Sequence, residues 1–226
     1  LTPKEPASST APSDGALPDG VPSDGTAALL RAATDERHRA VEARLDLGEL
    51  LRSRAGYAAL LGYFAASLAP VEAWIDAHPH AAALPDGRRR GLPLLREDLR
   101  ALGVAAEPAG PVAAFNLAGP SEAHLLGVLY VVEGSALGGL TIAKQARRAL
   151  GVTAETGASF FLRNAGDPLG PWTRFKQRLD ARVRSSEQRA AAVDAARAAF
   201  DQFLRQPAPA AGPPVTTSPP PHASRP

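Results

Sequence analysis

The chain contains no cysteine and no methionine in its 226 residues, and only 5% of it is aromatic. Without cysteine there is no disulfide framework, no thiolate metal site and no catalytic thiol, which fits a cytoplasmic setting. The lack of methionine even at position 1 fits an alternative start codon or a trimmed terminus. A strong charge of one sign is also missing. The formal net charge is +2, too small to draw the protein to nucleic acid or a membrane surface. The pI of about 9.3 reflects an arginine excess acting on that small charge. No uninterrupted apolar run reaches the about eighteen residues of a membrane span. The first residues lack the basic-then-apolar layout of a secretory signal. Alternating β-branched runs and Asn-Gly hairpin turns are absent, so strands are not expected. A Gly-Lys-Ser/Thr loop and a dinucleotide fingerprint are absent too, so no flavin or nucleotide site is expected.

What is present is alanine, leucine and arginine in helical patterns, with 45% hydrophobic and 21% charged residues, ordinary globular proportions. Many of the 22 prolines fall in residues 1–25 and 207–226. These stretches are poor in apolar residues and lack aromatics, so they are expected to be disordered tails. Residues 26–206 then form one all-α domain. Helices are expected over 26–45, about 47–77 with a kink at Pro70, about 93–102 ending at Gly103, Ser121 to Gly151 opened by Pro120, about 171–187 and about 188–205.

Two of these helices carry candidate chemistry. On the first, His38 lies one turn after Thr34 and just before Val41, which places it on the expected buried face. A lone histidine there is usually a hydrogen-bonded core residue. Glu42, one turn on, gives the other possibility: a carboxylate that fixes one imidazole nitrogen and leaves the second for a metal. Arg31, two turns earlier on the same side, could reach an acidic group of a bound ligand, although Arg31 and Glu42 singly fit a solvated face.

The long helix holds Gly134, Ser135, Gly138 and Gly139, a run of nearly bare backbone. Three interior glycines cost about 3 kcal/mol against alanine. Either another helix packs closely there, or the helix is broken and bent to lie against a flat ligand. Tyr130 brings a hydroxyl to the edge of the same face. Of the other histidines, His78 and His80 are expected in a loop, His124 is too far along the helix to share a site with Gly134, and His222 is in the tail. No spacing suggests zinc.

Three segments resemble the heme (haem) oxygenase family: LRAATDERHRAVEARL its proximal helix, LYVVEGSALGG the distal helix of its bacterial branch, and ASFFLRNAG with WTRFKQRLDARV a later stretch. The likeness is greatest to enzymes that accompany bacteriophytochromes, and it covers about residues 27–206 in the right order. It implies an all-helical heme-oxygenase-like bundle that converts heme, at once substrate and cofactor, to biliverdin, carbon monoxide and ferrous iron with O2 and external electrons. It implies His38 as axial iron ligand, Glu42 as its partner, Arg31 and Thr34 on the heme-binding helix, and Tyr130 and Lys176 near the propionates. Gly134, Ser135, Gly138 and Gly139 match the catalytic distal helix. Many members carry an aspartate where Ser135 stands, so the proton route is left to Ser135, carbonyls or water. Asp180 replaces an arginine of some relatives, leaving Arg174, Lys176 and Arg182 as candidates. Reduced ferredoxin is the implied donor and a bacteriophytochrome an implied recipient of biliverdin. Lys144, Arg147 and Arg148 are either a solvated helix end or a docking surface for that donor. Two alternatives stay open: a heme- or bilin-binding carrier or sensor without turnover, and a thiaminase-like bundle for another small ligand.

Overall fold

A computed structural model describes residues 25–84, 90–105, 114–118 and 121–210. Among them there is no strand. The helices are α1 Gly25–Ala43, α2 Leu47–Leu50, α3 Arg54–Ala77, α4 Gly91–Ala101, α5 Glu122–Leu150, α6 Gly170–Arg182 and α7 Ser186–Arg205. The expected tails lie outside the described residues, except that Gly25 opens α1 and 207–210 follow α7 without helix. Pro120 and His222 also lie outside.

The expected helix over 47–77 is two helices, because Ser53 starts a new one: its hydroxyl accepts from the Gly56 amide at 3.0 Å. The helix then continues across Pro70. Gly103 and Gly151, with φ of 75° and 70°, stop α4 and α5 in the left-handed conformation that glycine adopts at little cost. The helix α6 ends at Arg182, short of the expected 187, and Ser185 caps α7 by accepting from the Gln188 amide.

The core is one cluster that all of the longer helices feed. The helices α5 and α7 cross closely, and α7 offers a face of alanines there, Ala192, Ala195, Ala196 and Ala199. A Cβ at Gly127 would sit 2.2 Å from the Ala192 carbonyl oxygen, so only glycine permits that approach. The scarce aromatics are grouped. Phe64, Phe160 and Phe161 lie 5.1–5.6 Å apart by ring centroid in the core. Beside them Tyr57 donates its hydroxyl to the Gly157 carbonyl at 2.8 Å and Tyr63 donates to Phe203 at 3.0 Å. Each buried ring thereby keeps its polar end satisfied.

By length and composition α3 and α5 would each suffice to cross a membrane, which the search for unbroken apolar runs passes over. In the bundle, 61% and 50% of their apolar stretches are buried, as expected of core helices.

Candidate functional site

The helix α1 is fixed from two sides. From α6, Asp180 accepts from the Thr26 amide at 2.7 Å and so caps the start of α1. The acid that departs from the expected arginine thus has a structural partner. From α7, Asp201 accepts from Arg37 Nε at 2.8 Å, and Arg197 Nε donates to the Ala33 carbonyl at 3.2 Å.

The buried line of α1 is Thr26, Leu30, Thr34 and Val41. His38 is not on it: 55% of its side chain is exposed, against the expectation of a buried face. The reason is angular. At about 100° per residue, Arg31, His38 and Glu42 fall together on the flank beside the buried line rather than within it. His38 meets the core at Phe200, edge to face with centroids 5.7 Å apart. Its Nδ1 stands 3.5 Å from a Glu42 carboxylate oxygen. That arrangement leaves Nε2 directed elsewhere and without a hydrogen bond among the described residues.

The flank meets α5 near Tyr130. Burial raises the pKa of the Tyr130 phenol, while the Arg31 charge and a hydrogen bond with Thr34 oppose the rise. Arg31, Thr34 and Tyr130 are therefore brought together, with His38 one turn beyond Thr34 and Gly134 one turn beyond Tyr130. The Tyr130 ring also faces Trp172, centroids 5.6 Å apart, and Trp172 stacks on Phe175 at 5.5 Å. These two rings are site features that the sequence reading missed. Their spacing on a basic helix, one turn apart, was the available signal.

The α5 glycines do not break the helix, which runs uninterrupted from Glu122 to Leu150. They do not form one surface either. A Cβ at Gly134 would lie 3.5 Å from the Trp172 ring, and one at Gly138 would meet nothing within 4 Å. At Gly139 it would lie 3.2 Å from the Phe161 ring and 3.3 Å from the Phe161 carbonyl oxygen. Gly139 stands two and a half turns beyond Tyr130, hence on the opposite side of the helix. The expected patch is a stripe of Tyr130, Gly134 and Gly138, with Gly139 packing against Phe161 in the segment that follows α5.

Ser135 is engaged. Its hydroxyl donates to the Val132 carbonyl at 2.7 Å and accepts from Arg163 Nη2 at 2.8 Å. Among the basic candidates, Arg182 pairs with Glu122 at 2.9 Å and Arg174 lies 3.7 Å from Asp167. Lys176 is half-buried, and neither it nor Arg31 forms an ion pair among the described residues. Lys144, Arg147 and Arg148 are exposed in the last turns of α5. His78 is buried rather than in an open loop. An imidazole beside a carboxylate, an aromatic wall, bare backbone and two cations without an ion pair among the described residues suit a flat conjugated ligand bearing acidic groups. Among the described residues no group of three or more histidines and carboxylates could hold a metal ion. A group that brings its own ring nitrogens, needing one axial imidazole, fits the donor set present.

Comparison with known proteins bears on the family and the fold. The family model described as heme oxygenase matches residues 24–206. A heme oxygenase of Xanthomonas campestris pv. campestris (strain 8004) is 43% identical over 115 residues, which is 51% of this chain. That match spans 66% of the relative, just under two-thirds of its length. The NO- and CO-bound heme oxygenase from Neisseria meningitidis superposes with a TM-score of 0.68 over 80% of this chain and 89% of that one. At 23% identity, the latter likeness speaks for the fold alone.

Proposed function

The chain belongs to the heme oxygenase family, and from that premise we propose that it cleaves heme to biliverdin, carbon monoxide and ferrous iron. The catalytic domain in this proposal is residues 26–206. The single observation that carries the reading is the open flank of α1. There His38 has Nδ1 3.5 Å from Glu42, and among the described residues its Nε2 has no hydrogen bond and Arg31, two turns earlier on the same flank, has no carboxylate partner.

Bound heme supplies both the iron that activates O2 and the macrocycle that is cut. The chain's own residues do the rest. His38 would hold the iron through Nε2, with the Glu42 carboxylate 3.5 Å from Nδ1 favouring the tautomer that leaves Nε2 available. Arg31 and Lys176 receive the propionates, with Tyr130 and Thr34 beside Arg31 keeping that corner ordered. Gly134 and Gly138 would let the α5 backbone approach the substrate closely, and Trp172 and Phe175 would help to exclude water there. Ser135, with its only proton given to Val132, is poorly placed to act as an acid. Electrons come from a reduced ferredoxin or similar donor, for which Lys144, Arg147 and Arg148 offer a basic landing area. The setting is cytoplasmic, and a bacteriophytochrome is a fitting recipient of the biliverdin.

The engaged Ser135 hydroxyl favours a second reading, a heme or bilin carrier without turnover. Hemin titration followed by ascorbate or reduced ferredoxin in air separates the two. The enzyme develops a Soret band that bleaches to biliverdin, whereas a carrier keeps a stable heme spectrum. In His38→Ala the histidine-ligated spectrum is expected to disappear; an unchanged spectrum would falsify the ligand assignment.

A further inference from the structure

Arg163 lies in the turns that connect the end of α5 to α6, and it is only 5% exposed. A guanidinium buried to that degree is costly unless its donors are used. Its Nη1 donates to the Phe160 carbonyl of its own turn at 3.0 Å. Its Nη2 donates to two groups on α5, the Val132 carbonyl at 3.2 Å and the Ser135 hydroxyl oxygen at 2.8 Å. The guanidinium carbon sits 4.4 Å from the centroid of the Phe160 ring, a cation–π contact. Because Ser135 also donates to the Val132 carbonyl, the three groups close a triangle. Ser135 can turn its proton elsewhere only by breaking that triangle.

The triangle borders the proposed substrate stripe. Gly134 precedes Ser135, Gly138 follows one turn later, and between them Ala136 is the one buried side chain that holds that stretch of helix. A few residues on, Phe161 of the same connecting segment lies against Gly139. The segment therefore grips α5 at two consecutive turns, once by charge-assisted hydrogen bonds and once by packing.

We propose that Arg163 is a positioning residue of the heme-cleaving site. It fixes the rotation of Ser135 and the seating of α5 from Val132 to Gly139, so that Gly134 and Gly138 face the substrate and the Ser135 proton does not. The proposal rests on the heme-cleaving reading, but half of its test is independent of it.

In the apoprotein, amide hydrogen exchange at residues 134–139 is expected to be about tenfold faster in Arg163→Met, and to rise in Ser135→Ala. Arg163→Lys, which keeps the charge and one reach toward α5, should restore part of the protection. With hemin and reductant, Arg163→Met should shift the ratio of biliverdin isomers several-fold, because the ring is seated differently. The double variant should shift it no further, since Ser135 acts through its bond to Arg163, which Arg163→Met already removes. Unchanged exchange in Arg163→Met overturns the proposal. Faster exchange with an unaltered isomer ratio also overturns it, reducing Arg163 to a fold-stabilising residue. Additive effects in the double variant remove Ser135 from the pathway and overturn it likewise. Should Arg163→Met fail to fold, exchange in Ser135→Ala decides alone, and no change there overturns the proposal. If the wild type yields no biliverdin, heme cleavage fails, while the exchange result still says whether the triangle seats α5.

Discussion

A methyl group added at Gly138 would enter open space, while one added at Gly139 would lie 3.2 Å from the Phe161 ring, against backbone that cannot easily yield. The two adjacent residues should therefore answer substitution differently. Gly138→Ala removes the conformational freedom of an interior glycine without a clash, so the apoprotein should gain about 0.5–1 kcal/mol. If that face seats heme, the same methyl should weaken hemin binding. Gly139→Leu should cost about 1–3 kcal/mol through overpacking and leave the histidine-ligated spectrum in place. Urea unfolding of the apoproteins with hemin titrations checks both. A destabilised Gly138→Ala, or tight hemin binding by it, would count against the stripe. The sequence displayed these glycines, and helical geometry already put Gly139 opposite Tyr130. What it did not display was Phe161 as the neighbour, because that contact joins segments with no local signal relating them.

Histidines stand at the end of α3 and the start of α5. His78 terminates α3, its Nδ1 accepting from the His80 amide at 3.2 Å, with the Trp74 ring 4.8 Å away by centroid. Its Nε2 is buried without a hydrogen-bond partner among the described residues. His124, in the first turn of α5, bonds through Nδ1 to the Ser121 amide at 3.2 Å. Burial is the main cause that lowers the His78 pKa from 6.5; His80 and His124 lower it further, and the Ser121 backbone partly opposes them. The folded protein thus resists protonating His78, while the unfolded chain takes the proton near pH 6.5. Stability from the neutral ring is complete above that pH. It is lost as pH falls from there through the lowered folded value, by at most about 1.4 kcal/mol per pH unit. His78→Asn keeps an acceptor for the His80 amide but cannot titrate. The stability gap between wild type and His78→Asn should therefore shrink from pH 7.5 to pH 5.5 in urea unfolding. A gap that stays constant would show that His78 does not couple folding to protons. Helix ends with local punctuation were legible in the sequence, Gly103 and Gly151 above all. The end of α2 was not, because Ser53 caps α3 without the acidic partner that usually advertises a capping box.

Across the whole molecule, what could be read from sequence follows from how far apart the interacting residues lie. His38 with Glu42, and Arg31 with Thr34, sit within a few turns of one helix, so their relation was visible as spacing. Trp172 facing Tyr130, Asp180 capping Thr26 and Arg163 gripping Ser135 join distant segments, and they emerge only when the bundle closes. The same closure predicts where the chain can be cut. The core cluster runs from Leu30 to Phe203. Its outermost ties are the Thr26 amide on Asp180 and the Gln206 carbonyl, which accepts from Arg44 at 3.1 Å. A chain reduced to residues 25–210 keeps both ties. It should melt within about 2 °C of the full chain and bind hemin within about twofold of its affinity, since the composition of the removed ends offers little apolar surface to bury. A cut that begins after Leu29 removes Thr26, uncaps the helix that carries His38, and should cost about 1 kcal/mol or more. Thermal melts and hemin titrations of the three chains are the measurement. A 25–210 chain that loses affinity would place part of the heme-binding unit in the tails, and the proposed 26–206 boundary would have to move outward.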